Sequence, residues 1–326
     1  MPARRRAHLL AALAALLFAN AAAATDLRMV MSWTTRYEGV QAIAERYARK
    51  VAEGSDGAVR FSLYGPQAAP PRDQLELVRI GIFDVLFTHG SFHAATTPLG
   101  LALDAVHADP AGMREAGVWG AAEAHYESLG LKLLALPVSR SGHHLLLRTP
   151  VAADCTLAGR RIRSAPIYHA LLHALGAEPV EMPVAEASAA LASGDLDGIA
   201  WRVVDPLDHA WHTSTRYFTR PTFGTYTHLL LMNLETWNTL DEATRELLRT
   251  RGVALEVRTW KRSRKRTAHH DAALNRHGLQ ATQLCGEQAE ALAHHWAESA
   301  WAFTINQGGA PIAALRELAR AAAVSE

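Results

Sequence analysis

Cysteine is nearly absent from this 326-residue chain, which carries only Cys155 and Cys285. Two cysteines exclude a disulfide scaffold and a cysteine-rich zinc module. No sign of charge dominates either: 33 Lys and Arg face 32 Asp and Glu, for a net +1. A dedicated nucleic-acid binder would show a strongly basic face or tail, so no nucleic-acid partner is expected. No apolar run approaches the ~20 residues of a membrane-spanning helix. Recognised catalytic signatures are also missing. There is no G-x-S-x-G, no H-E-x-x-H and no Walker loop, and hence no motif for a nucleophile, a metal-bound water or a phosphate cradle. What the chain does have in surplus is histidine, 17 against 7 tyrosines.

The first 24 residues read as an export signal. Arg4, Arg5 and Arg6 precede an uncharged apolar run from Leu9 to Phe18, and Ala22, Ala23 and Ala24 supply small residues for cleavage. That run is too short to span a bilayer. Cleavage near Ala24 leaves 30 basic against 32 acidic residues, a net charge of −2. At 49% hydrophobic and 20% charged overall, the chain has the composition of an ordinary globular protein. Its length exceeds what one core usually fills, which implies two lobes. An exported, periplasmic protein with no cofactor follows as the expectation.

Residues 27–32 read as a strand and 37–53 as a helix, with Val40, Ile43, Ala44, Tyr47 and Val51 at helical spacing. A strand at 59–63, a helix at 73–80 stopped by Gly81, and a strand at 82–87 follow. Strands separated by helices need crossover connections, so a mainly parallel sheet is predicted. Ligands then lie beyond the carboxyl ends of the strands, after Ser32 and after Phe87. Further strands are expected at 131–136, 143–147, 179–182 and 227–233, and helices at 166–175 and 184–192. A very long helix is expected from 241 to 277, opened by a Thr239–Glu242 capping box. It would span ~55 Å, enough to brace two lobes. Two helices, 287–306 and 311–323, close the chain.

Residues 157–198 read LAGRRIRSAPIYHALLHALGAEPVEMPVAEASAALASGDLDG. Leu157, Gly159, Arg161-Ile162-Arg163, Gly176-Ala177, Pro179, Met182-Pro183, Leu191, Gly194 and Asp197-Gly198 occur in the order found in solute-binding proteins of tripartite ATP-independent periplasmic (TRAP) transporters. The chain resembles that family, which includes dicarboxylate and sialic-acid receptors, over nearly all of its mature length. Gly57 before a strand, the Gly81-Ile82-Phe83-Asp84 run, Asn233, Trp237 and Leu240 extend the match. The resemblance implies an α/β, two-lobe periplasmic binding protein fold with the long helix spanning both lobes. Lobe I would comprise residues 25–138 and 213–255, and lobe II residues 139–212 and 256–326. It also implies a monomer that holds a small organic acid between the lobes and delivers it to membrane permease subunits.

By this resemblance Arg163 contacts the ligand carboxylate. A planar guanidinium offers paired N–H donors to two carboxylate oxygens and stays charged at any working pH. The family's second arginine is missing: aligning Gly142 places His144 there, while Arg140 stands four residues earlier, and either could serve. Ser32 or Trp33 after the first strand, His89 after the third, Trp201, and Phe223 with Tyr226 match further pocket positions. An apolar or aromatic acid would suit these side chains.

Two other readings compete. The histidine surplus admits a periplasmic metal-binding receptor, since His89/His93 and His169/His173 have i,i+4 spacing, although no carboxylate recurs beside them. A hydrolytic enzyme lacks its constellation. Cys155 and Cys285 both fall in the expected lobe II, and whether they pair is open at this point. The basic cluster Arg258, Lys261, Arg262, Arg264, Lys265 and Arg266 reads as a solvated helix face.

Overall fold

A computed structural model describes residues 24–204 and 206–324; apart from Ala24, the expected export signal lies outside the described residues. Two six-stranded sheets frame the protein. The first contains β1 (Thr25–Met31), β2 (Val59–Tyr64), β3 (Val85–His89), β4 (Leu131–Ala135), β5 (Val138–Ser139) and β11 (Tyr226–Asn233). Its order is β2-β1-β3-β11-β4, with β5 beside β11. β1 runs parallel to β2 and β3, while β11 is antiparallel to β3 and β4. The crossover after β1 is the helix Glu38–Gly54, which buries Val40, Ile43, Ala44, Tyr47 and Val51 against the sheet. That apolar stripe is what the spacing demanded. β3 starts at Val85 rather than 82, because Gly81 turns the chain at φ +79° and Ile82 stays half exposed. Asp84 is drawn instead to Arg28, whose Nε lies 2.9 Å from its carboxylate.

The second sheet holds β6 (His143–Leu147), β7 (Arg161–Arg163), β8 (Glu178–Val180), β9 (Gly198–Arg202), β10 (Tyr217–Arg220) and β12 (Gln280–Gln283), in the order β12-β10-β6-β9-β7-β8. β10 corrects the expected division of the chain. Residues 217–220 pair with β6 and β12, so they belong with the second sheet and not with residues 213–255 of the first lobe. β5, β9, β10 and β12, and the helices Pro110–Glu115 and Val118–Ser128, were not expected from the sequence. The four strands are two to five residues long, too short to display a period.

The long helix, Glu242–Arg276, has 35 residues, about 52 Å at the usual rise. Leu248 and Leu255 pack in the core beside the first sheet, and Leu274 in the core beside the second. The helix therefore spans both sheets. Its N-cap is Asp241, whose Oδ1 accepts from the Thr244 amide at 2.8 Å; the Thr239–Glu242 box does not form. Thr239 ends the preceding helix, Leu234–Thr239, and its hydroxyl donates to the Thr236 carbonyl. Buried Glu256 ties the helix down. It ion-pairs with Arg114 at 2.7 Å and accepts from the Leu136 amide and the Trp119 indole.

The helix Leu292–Gly308, followed only by the last helix Ala310–Ala321, buries Trp296 and Trp301 in a core that also contains Leu86 and Leu231 of the first sheet and Leu145 and Ile162 of the second. One apolar body thus underlies both sheets. Cys155 and Cys285 form a disulfide, with Cα atoms 5.3 Å apart. Among the described residues no helix is long and apolar enough to cross a membrane.

Candidate ligand-binding cleft

At the carboxyl ends of β1 and β3, where the sheet topology places a crevice, residues of both sheets enclose a cavity of about 440 Å³. From the first sheet come Ser32 and Trp33 after β1, His89 and Phe92 at and after β3, and Tyr226 of β11. From the second come His143 of β6, Arg163 of β7, Trp201 and Arg202 of β9, and Tyr168 after β7. Pro166 opens the short turn of helix that seats Tyr168. Trp296, from the helix Leu292–Gly308, completes the lining.

Arg163 is 8% exposed, and among the described residues no carboxylate lies within ion-pair distance of it. Its Nε and Nη2 donate to the Met182 carbonyl at 3.2 and 3.1 Å, and its guanidinium sits 5.6 Å from the Trp201 ring centroid. Burial pulls its pKa down, with Tyr168 and Glu181 opposing. An arginine still keeps its charge there. The second cation is Arg202. It reaches from the second sheet to the first, with its guanidinium 5.0 Å from the Tyr37 ring and 5.3 Å from that of Tyr226, and donates to the Tyr226 hydroxyl at 3.1 Å.

Opposite these lies a buried pair. His89 Nε2 is 2.9 Å from Asp104 Oδ2, and both residues are 2% exposed. The Ser91 amide donates to His89 Nδ1 at 3.1 Å. A ring that accepts at Nδ1 carries its proton on Nε2, so the imidazole donates to the carboxylate. Asp104 Oδ1 also accepts from the Thr227 amide at 2.8 Å. Burial raises the Asp104 pKa, against the pull of His89 and Thr227. The His89 ring stacks on Tyr226 at 3.8 Å, which fixes both walls. His143 is buried among Tyr168, Phe223 and Trp296, and burial pushes its pKa down to about 3, so it is a neutral polar group.

The profile of the bacterial extracellular solute-binding protein family 7 matches residues 29–303. The chain belongs to this family. Family 7 proteins bind solutes for transport and are not enzymes. Solved structures share the fold. A Bordetella pertussis extracytoplasmic solute receptor binding pyroglutamic acid is 19% identical, with a TM-score of 0.71 over 91% of this chain and 100% of that one. A Desulfovibrio salexigens TRAP periplasmic solute-binding protein with bound orotic acid is 18% identical, with a TM-score of 0.74 over 91% and 98%. A marine metagenome TRAP solute-binding protein specific for aromatic acid ligands is 19% identical, with a TM-score of 0.69 over 91% and 99%.

In this family 7 protein the cleft brings together six of the nine residues expected at the site: Ser32, Trp33, His89, Arg163, Trp201 and Tyr226. Three lie elsewhere. His144 is fully buried on the opposite face of β6, against Phe218 and near Arg220. Successive strand residues alternate faces, so its neighbour His143, paired with Arg202 across the ladder, takes the cleft position. Arg140 leans over the Trp260 ring at 4.6 Å and, with Phe223, lines a separate cavity of about 260 Å³. Phe223 packs behind the cleft wall on Trp296. Ser32 reaches the cleft with its hydroxyl already committed to Gln74 and Thr88. Sequence reasoning missed His143, Tyr168, Arg202 and Asp104. Strand alternation from Gly142 could have found the first; nothing in the sequence flags Asp104. Among the described residues no group of three or more His, Cys, Asp or Glu converges to hold a metal ion. His93, paired by spacing with His89, instead meets Thr88 Oγ1 at 2.9 Å.

Proposed function

We propose that this solute-binding protein is the periplasmic receptor of a TRAP transporter and captures a small organic acid with an aromatic or flat apolar body. One observation carries the reading: a buried arginine with no carboxylate within ion-pair distance among the described residues, facing a cavity walled by aromatic rings. Burying an unpaired charge is costly, and a ligand carboxylate relieves that cost. Arg163 takes the carboxylate in this reading, and the body lies among Trp33, Phe92, Tyr168 and Tyr226. The acids held by structurally similar receptors, pyroglutamic and orotic among them, are of a size and chemistry that suit the cleft. The receptor for aromatic acid ligands shares the same fold.

The two sheets act as the cores of two lobes, and ligand capture closes them about the ends of the long helix. The Arg202 contact with Tyr37 and Tyr226 is of the kind that holds the lobes together. The N-terminal signal directs export and is cleaved near Ala24; the mature chain works as a monomer and hands its ligand to membrane permease subunits. A thermal-shift screen of small organic acids tests the proposal, because binding to the folded state raises apparent stability. The expected hits are monocarboxylates with a planar ring. Tight zinc binding by calorimetry with no response to any organic acid overturns it.

A further inference from the structure

Outside the cleft the long helix carries a feature that ligand capture does not use. Arg258, Arg262 and Arg266 recur at every fourth residue and so stack on one helix face. Across from them stands Arg46, on the helix Glu38–Gly54, and the four arginines line a cavity of about 90 Å³ with Ala42, Ile43, Leu255 and Thr259. The apolar members form its floor: Ile43 and Leu255 are buried. Arg46 and Arg258 are half-buried, while Arg262 is exposed at the rim. Among the described residues no carboxylate lies within ion-pair distance of Arg46, Arg258 or Arg262. Arg266 donates to the Gly39 carbonyl, which fixes it at the end of the groove. Burial pulls the Arg46 pKa down, helped by the neighbouring Arg258, Arg49 and Arg262 and opposed by Glu53.

Like charges held this close repel, and arrays of that kind persist where an anion offsets them. We propose that this groove is a second ligand site, for a phosphate group, on the outer face of the two helices. A carboxylate offers two oxygens in one plane. Phosphate offers three or more oxygens in a tetrahedron and close to two negative charges, so guanidinium groups arriving from two helices can each donate to it. The groove has room for such an ion. The phosphate is either a free inorganic ion or the headgroup of an anionic phospholipid, and one pair of experiments separates these sources.

The purified protein is titrated with inorganic phosphate at constant ionic strength, with chloride as the balancing ion and Tm as the readout. The same protein is then floated with vesicles of phosphatidylglycerol and, separately, of phosphatidylcholine. An Arg46→Ala, Arg258→Ala double variant is run beside the wild type. A saturable rise in Tm that weakens by about tenfold or more in the variant establishes the site with free phosphate as its ligand. Flotation with phosphatidylglycerol alone, lost in the variant, establishes it with a lipid headgroup. Equal responses of the wild type and the variant, or no response to either source, overturn the proposal. The Arg46→Lys, Arg258→Lys pair guards against misfolding, since it keeps the charge and is expected to retain part of the response. An Arg163→Ala variant, altered only in the cleft, is expected to bind phosphate as the wild type does, so failure of the cleft reading leaves this one standing.

Discussion

Replacing His93 by Gln is expected to make the protein less sensitive to acid. His93 is 3% exposed, and burial pushes its pKa down to about 4, helped by the nearby His89 ring. His143 is pushed down to about 3. In the unfolded chain both return to about 6.5. Between these values unfolding takes up protons, so stability is fully present above about pH 6.5 and is lost as pH falls toward the folded-state values. At pH 5 the unfolded histidine is favoured by about 1.5 units at about 1.4 kcal/mol each, or about 2 kcal/mol per ring and about 4 kcal/mol for the two. That is a sizeable part of a typical folding free energy of about 5–15 kcal/mol. Buried Asp104 and Glu256, whose pKa values are raised, act in the opposite sense and gain as pH falls. A difference measurement removes them. Urea unfolding of wild type and His93→Gln at pH 7.5 and pH 5 is the assay, with Gln retaining a polar partner for Thr88. The variant should lose about 2 kcal/mol less than the wild type across that interval. Equal losses in the two proteins refute the reasoning.

Other consequences can be checked by unfolding experiments. The Cys155–Cys285 bond closes a loop with a sequence separation of 130, so reduction or a double Cys→Ser change should cost up to about 5 kcal/mol by chain entropy, read as a lower urea midpoint in dithiothreitol. Gly142 holds φ +59°, and a Cβ there would meet the Phe223 carbonyl at 2.3 Å; Gly142→Ala should destabilise by about 2 kcal/mol or more. Gly120→Ala, in a helix with nothing within 4 Å of the new Cβ, should be neutral or stabilise by up to about 1 kcal/mol. Glu256→Gln removes a carboxylate whose charge burial disfavours and leaves Arg114, which is partly exposed, to water, so it should cost no more than about 1 kcal/mol at pH 7, measured by the same denaturant curves.

Much of the frame was legible in the sequence because its elements are long and periodic. The helix Glu38–Gly54 and the long helix announce themselves by apolar spacing and by sheer length. β9, β10 and β12 do not: each is five residues or fewer, and its place is set by ladder partners far along the chain. The cleft divides in the same way. Arg163 was found because a motif surrounds it, and Trp33 and His89 because the strand ends point to them. His144 was chosen over His143 because a linear alignment counts residues without knowing which face of β6 meets the cleft. Arg202 was passed over for its neighbour Trp201, although its guanidinium crosses to Tyr37 and Tyr226. Asp104 lies in the three-residue 3-10 turn Leu103–Ala105, too short to show a period, and only the folded chain brings it to His89. The histidine surplus also changes meaning. His93, His143, His144 and His228 are buried with lowered pKa values, so several serve as neutral packing groups.

The most direct test of the central claim is calorimetric titration of the wild type and Arg163→Ala with the organic acid that raises Tm most in the screen. The wild type should show one site per chain, and the variant a loss of about 3 kcal/mol or more, over a hundredfold in Kd. Equal affinity in the two proteins would contradict it.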